Sequence, residues 1–185
     1  MDDAVDVARF LSAQPALMEI LRTVARLSLP QGCIAAGALR NAVWDHLHGR
    51  PVTPHPRSDV DVIYFDPRQL STEHEQQVER ALQRIDSSTP WQVRNQARMQ
   101  LCNGDPPYAG SVDAVSYYPE TATAICAWLE DGELVLGAPL GVQDLLSLIV
   151  RPTPSFAGKL ELYRARLASK DWHSRWPRLQ FLDAD

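Results

Sequence analysis

Two aspartates two residues apart, inside a run of β-branched and aromatic residues, limit this chain more than any other feature. The run Ser58-Asp59-Val60-Asp61-Val62-Ile63 continues through Tyr64 and Phe65 after a proline-rich loop, so a strand is predicted over 59–65. Side chains alternate across a strand, which puts Asp59 and Asp61 on one face and Val60 and Val62 on the other. One side is therefore apolar packing and the other is polar. Two carboxylates fixed a few ångströms apart repel each other, and a cation between them relieves that cost. Hard divalent ions, Mg²⁺ or Mn²⁺, held by one or two carboxylates together with phosphate oxygens, suit such a pair. Taken alone, the spacing also fits solvated aspartates on an exposed edge strand.

The preceding element sharpens this reading. Cys33-Ile34-Ala35-Ala36 is a short apolar run stopped by Gly37, and Leu39, Val43 and Leu47 then recur with a helical period up to Gly49. The order is strand, glycine turn, helix, a loop carrying Pro51, Pro54 and Pro56, then the aspartate strand. Gly37 permits close approach to the backbone, and the start of the helix, from Gly37 and Ala38 to Arg40 and Asn41, is a ready anion site.

Elsewhere, Pro15 opens an amphipathic helix through Leu17, Leu21, Val24 and Leu27, and Thr72 and Glu75 have capping-box spacing before a helix on Val78, Leu82 and Ile85. From Trp91 to Met99 apolar residues and Asn95 alternate with Gln92, Arg94, Gln96 and Arg98, which predicts a long strand whose polar face carries both arginines. Strands are also expected at Val112–Tyr118 and Leu134–Leu136, and helices at Val142–Val150 and Lys159–Trp172. Trp172 and Trp176 form one apolar stripe, and Glu73, Glu75 and Glu79 read as a solvated helix face. His46, His48 and His55 do not share a face and read as surface residues. Ser111 and Ser116 lack His and Asp partners for a hydrolase triad.

Composition narrows the partners. A chain of 185 residues buries roughly 70% of its unfolded surface and can hold a full core. Eighteen Lys and Arg against 23 Asp and Glu give a charge of −5, which argues against a basic nucleic-acid-binding coat while leaving a local patch possible. The acidic start and the lack of a long apolar run predict a cytoplasmic protein with no membrane partner. Cys33, Cys102 and Cys126 are too far apart for a zinc ribbon and read as small buried hydrophobes.

Ala36-Gly37-Ala38-Leu39-Arg40-Asn41 followed by Asp59-Val60-Asp61 resembles the nucleotidyltransferase superfamily of the DNA polymerase β type, especially the head domain of tRNA nucleotidyltransferases and poly(A) polymerases. Their pattern is Gly-Gly-x-Val-Arg-Asp, a helix, a loop, then Asp-x-Asp. Glu120 to Ile125 and Gly141-Val142-Gln143-Asp144-Leu145 echo later segments of that family. The Trp91–Met99 stretch, Ala138-Pro139-Leu140-Gly141 and Lys170-Asp171-Trp172 through Trp176-Pro177 are similar to small stand-alone bacterial members.

The resemblance implies a single α/β domain over 1–185 with a short mixed sheet, helices on one face and an open nucleotide cleft on the other. Its core lies at about 31–151, with helices at 3–29 and 159–176 packed on it. It further implies an NTP substrate and an unidentified acceptor, with Mg²⁺ or Mn²⁺ on Asp59 and Asp61. Gly37, Ala38, Arg40, Asn41, Ser58, Arg94 and Arg98 are then the nucleotide-binding candidates. Three departures stand out: Ala36 replaces the first glycine, Asn41 replaces an acid, and the 91–99 strand lacks the third carboxylate, for which Asp113 or Glu120 are the substitutes. The rival expectation is a nucleotide-binding or interaction protein that keeps the fold with little turnover.

Overall fold

Apolar residues at alternate positions form five short strands, and the side they occupy decides where the helices pack. The structure is a computed structural model that describes residues 1–52 and 59–183. Helix α1 (Ala4–Ser12) is capped by the Asp3 carboxylate, which accepts the Asp6 amide at 2.9 Å, and α2 (Pro15–Ala25) opens on a proline whose missing N–H a first turn does not need. Strand β1 (Cys33–Ala35) leads straight into α3 (Gly37–Leu47), and β2 (Val60–Tyr64) precedes α4 (Thr72–Ile85). Then come β3 (Trp91–Asn95), α5 (Gln96–Asn103), α6 (Ser111–Val115), a 3₁₀ turn at Thr121–Thr123, and the hairpin of β4 (Cys126–Glu130) and β5 (Glu133–Gly137). The chain ends with α7 (Gln143–Leu146), β6 (Ile149–Val150), α8 (Leu160–Ala168), α9 (Trp172–Arg175) and β7 (Gln180–Phe181). No helix among the described residues is long and apolar enough to cross a membrane.

The main sheet runs β3-β2-β1-β4-β5, with β2 and β3 parallel and the other neighbours antiparallel, as the mixed sheet expected from the sequence requires. Its register places Asp61 beside Ala35 and Gln92, and Ile63 beside Cys33 and Arg94, so these residues share one face. Ile34, Val60, Val62, Trp91 and Val93 turn to the other face, where Leu11, Leu21, Leu39, Val43 and Leu82 from α1 to α4 bury them. Each such side chain, fully buried, contributes roughly 1.5–3 kcal/mol. The polar face is not bare. Val115 of α6, with Tyr118 and Trp128, closes over Cys33, Ala35, Ile63 and Cys126, so the open part of this face is smaller than the sequence suggests.

Several stretches depart from their sequence pattern. The Trp91–Met99 alternation stops being a strand at Asn95, which is fully buried and caps α5. Its Oδ1 accepts the Ala97 and Asp66 amides, both at 3.1 Å, and its Nδ2 donates to the Asp66 and Gln69 carbonyls at 2.8 and 2.7 Å. A fully satisfied buried amide outweighs a two-residue period that merely continues in the sequence. β3 is also the sheet edge, and α4 covers its outward amides: Glu79 accepts from Val93 at 3.2 Å and Glu75 from Asn95 at 2.8 Å.

Glu75 is therefore buried rather than solvated, and the cap of α4 is Ser71, accepting the His74 amide at 3.2 Å, rather than a Thr72–Glu75 box. Val112–Tyr118 begins as helix α6, with Asp113 accepting the Ala109 amide at 2.8 Å at its start. Val142–Val150 breaks at Leu148, whose φ of 59° leaves the helical region, and continues as β6 beside β7. Cys33 and Cys126 are buried, whereas Cys102 is exposed.

Candidate active site

The β1–α3 turn is built around Ala36, which adopts φ 53° and ψ −110°, a conformation L-residues seldom take. Such strain costs of order 1–3 kcal/mol and persists only where neighbours enforce it. Here the Ala36 amide donates to the Ile125 carbonyl at 2.9 Å, and the Ala36 carbonyl accepts the Arg40 amide at 2.9 Å. The glycine-like backbone thus falls on Ala36. What Gly37 supplies is room, because a Cβ there would meet nothing nearer than Arg40 Nη2 at 4.0 Å.

Arg40 is buried behind this turn. Its Nη1 donates to Thr123 Oγ1 and its Nη2 to Asn41 Oδ1, each at 2.9 Å, while Nε has no hydrogen-bond partner among the described residues. The guanidinium stands 4.8 Å from the Trp44 ring centre and 4.3 Å from that of Trp172, so it makes a cation–π contact with each of two rings that meet edge-on. Burial lowers its pKa to about 10, and the charge of Glu120 opposes that fall, so Arg40 stays cationic at neutral pH. The 3₁₀ turn carrying Thr123 is held in place by Thr121, which donates to Asp144 at 2.6 Å; Asp144 in turn pairs with Arg151 at 2.9 Å.

Asp61 is half-buried on β2, with Asp59 exposed just before the strand. Burial raises the Asp61 pKa and the charge of Asp59 raises it further, while Arg40, Arg166 and Arg94 pull it down. The Tyr118 hydroxyl is driven well above the usual phenol range by burial and by the Asp61 charge, so it stays neutral beside the carboxylate. Two like charges of which one resists ionisation make a place where a hard cation fits. Among the described residues no group of three or more His, Cys, Asp or Glu side chains is placed to hold a metal ion. Asp59 also lines a cleft of about 760 Å³ with Leu17 and Ile20 of α2, Ala38 and Asn41 of α3, and Pro90.

The C-terminal elements complete the surroundings. Glu120 is fully buried and accepts Arg166 Nε from α8 at 2.5 Å, while Oε2 has no hydrogen-bond partner among the described residues. Asp45 of α3 accepts Trp176 Nε1 at 2.9 Å and Arg175 Nη2 at 2.8 Å, which fixes α9 and seats Trp172 against Arg40. The two tryptophans are buried and contact Trp44 edge-on.

The structure thus brings Gly37, Arg40, Asp59, Asp61 and, through the register of β3, Arg94 to one region. Ala38 and Asn41 line the adjoining cleft, and Ser58 lies outside the described residues. Arg98 goes elsewhere: on α5 instead of a strand, it bonds Glu75 with Nε at 2.9 Å and Nη2 at 2.8 Å. Arg98→Ala is accordingly expected to cost about 3 kcal/mol in urea unfolding, because it strips a buried carboxylate of its counter-ion. Nucleotide affinity, measured by calorimetry, is expected to stay at the wild-type value. Glu120, named as one substitute for the third acid, joins the charge cluster, while Asp113 is engaged with the Ala109 amide. Tyr118 and Arg166 carry no local motif, and Thr123 and Lys170, though within segments that resemble the family, are not singled out by it, because chain segments far apart in sequence deliver all four.

The family described as Nucleotidyltransferase matches residues 22–181, and the chain belongs to it. A solved NMR structure, described as revealing a CCA-adding enzyme head domain, is similar at TM-score 0.88 and 32% identity, over 100% of this chain and 98% of that one. A second, described as tRNA-processing enzyme complex 3, aligns at TM-score 0.47 and 19% identity, over 80% of this chain and 41% of that one. No curated protein matches the sequence. Nucleotidyl transfer, in general terms, is the chemistry that the family and the first of these likenesses support.

Proposed function

We propose that this chain transfers a nucleoside monophosphate from an NTP to a hydroxyl or phosphate acceptor and releases pyrophosphate. The observation that carries this reading is the meeting of the Asp59–Asp61 pair with the open ground in front of Gly37 and Arg40. An acceptor oxygen forms a bond to the α-phosphorus while the bond from that phosphorus to the bridging oxygen breaks; its electron pair leaves with pyrophosphate, and a hydroxyl acceptor releases its proton to solvent. Asp59 and Asp61 would hold Mg²⁺ or Mn²⁺, and a divalent ion there neutralises phosphate charge and makes the attacking hydroxyl more acidic. The amides at the start of α3 face the phosphates through the gap at Gly37. Arg40, already locked by Thr123, Asn41 and two tryptophans, adds positive charge without having to reorganise. The cleft beside Asp59 has room for a nucleoside or an acceptor group.

The test incubates the full chain with α-labelled NTPs, Mg²⁺ or Mn²⁺, and an extract divided into RNA and small-molecule fractions. The RNA fraction is the first acceptor class to try, since the similar structure is described as a CCA-adding enzyme head domain. The expected result is label moving into one fraction together with pyrophosphate release, both abolished by chelation. Metal-dependent NTP binding without transfer to either fraction would favour the binding-protein reading instead.

A further inference from the structure

The turn between α8 and α9 is tied to the site at both ends yet carries one cation with no hydrogen bond or ion pair to any described residue. Four residues before Lys170, Arg166 bonds the buried Glu120; two residues after it, Trp172 stacks on Arg40. The Lys170 amide closes the last turn of α8 on the Leu167 carbonyl at 3.0 Å, which fixes the backbone. Its side chain is exposed and makes no hydrogen bond or ion pair with any described residue. The charges it faces are those of Arg166, Arg40, Glu120 and Asp61, and partial desolvation by its neighbours and the two arginines disfavour its charged form. Glu120 is already matched by Arg166, and a divalent ion on the aspartate pair would neutralise Asp61. Arg40 and Lys170 would then face the site as uncompensated cations, and a polyanion is the ligand that satisfies them.

We infer that Lys170 is a substrate-binding residue that contacts the terminal phosphates of the NTP, and hence the pyrophosphate that leaves. The α8–α9 turn is then a second phosphate-binding element, besides the β1–α3 turn. This rests on the nucleotidyl-transfer reading of the same site. A lysine suits the role because its ammonium is a compact charge on a flexible stem that can follow the departing group.

The experiment titrates the full-length wild type, Lys170→Gln, Lys170→Arg and Asp61→Asn with Mn²⁺ alone, with Mn²⁺ and ATP, and with Mn²⁺ and inorganic tripolyphosphate. In Lys170→Gln, ATP and tripolyphosphate are expected to bind about 10- to 100-fold more weakly, the loss of one charge-assisted contact, with Mn²⁺ binding unchanged. Lys170→Arg should recover most of the affinity. If Lys170→Gln binds Mn²⁺ and ATP like the wild type while Asp61→Asn does not, the inference about Lys170 is overturned and the proposed function stands. A wild type that binds neither Mn²⁺ nor ATP overturns both. Weakened ATP binding with unchanged tripolyphosphate binding also overturns the inference, because the contact would then be to the nucleoside.

Discussion

Asp61→Asn is expected to lower the rate of labelled nucleotide transfer by about 10³-fold, since several kcal/mol of metal-mediated charge stabilisation would be lost and each 1.4 kcal/mol is tenfold. The metal-free variant should nevertheless melt no lower than the wild type. Asp61 is raised above its ordinary pKa by burial and then by Asp59, so in the window between its unfolded and folded values the native state binds more protons than the unfolded one. Its ionised form is thus a cost to the metal-free fold at neutral pH. That cost is relieved as pH falls through the folded pKa toward the unfolded value. This is the reverse of a salt-bridged acid, and the asparagine variant should lose this pH dependence while gaining stability at neutral pH. Thermal melts across acid to neutral pH, with and without Mn²⁺, check both parts. A melting temperature many degrees lower in the metal-free variant would make Asp61 a structural residue and remove it from the site.

Asp45→Ala should destabilise the protein by about 3 kcal/mol in urea unfolding, although Asp45 touches no proposed ligand. Its carboxylate, 2% exposed, is shared by the Trp176 indole and the Arg175 guanidinium. Without it a buried N–H loses its acceptor and Arg175 its counter-ion. The effect should spread along a definite route, because α9 carries Trp172 and Trp172 is one of the two rings that hold Arg40. ATP affinity is expected to fall as well, and Asp45→Asn, which keeps one acceptor for Trp176, should fall less on both counts. Unchanged stability in Asp45→Ala would mean that α9 is held by ring packing alone.

The Asp59-x-Asp61 strand and the Gly37 turn were legible because both depend on short-range rules. Alternation along β2 and the start of a helix after a glycine need only a few neighbouring residues to be recognised. The same local logic misplaced Arg98: the period of two ran on past Asn95, but a buried amide with partners near residue 66 ended the strand there. Glu75 and Glu79 looked solvated because their partners are the edge amides of β3, and which strand forms an edge is a property of the whole sheet.

The sequence by itself determined the strand–turn–helix–strand order and the two-residue spacing of the carboxylate pair, since covalent spacing sets those directly. Only the tertiary structure decided that Ala36 rather than Gly37 takes the strained backbone and that Arg40 packs against both Trp44 and Trp172. It alone brought Glu120, Arg166 and Lys170 around the aspartates. Trp172 meets Arg40, and Arg166 and Lys170 meet Asp61, across more than 100 positions of chain, and burial, ring stacking and charge pairing select such meetings once the core has closed. No spacing rule along the chain carries that information.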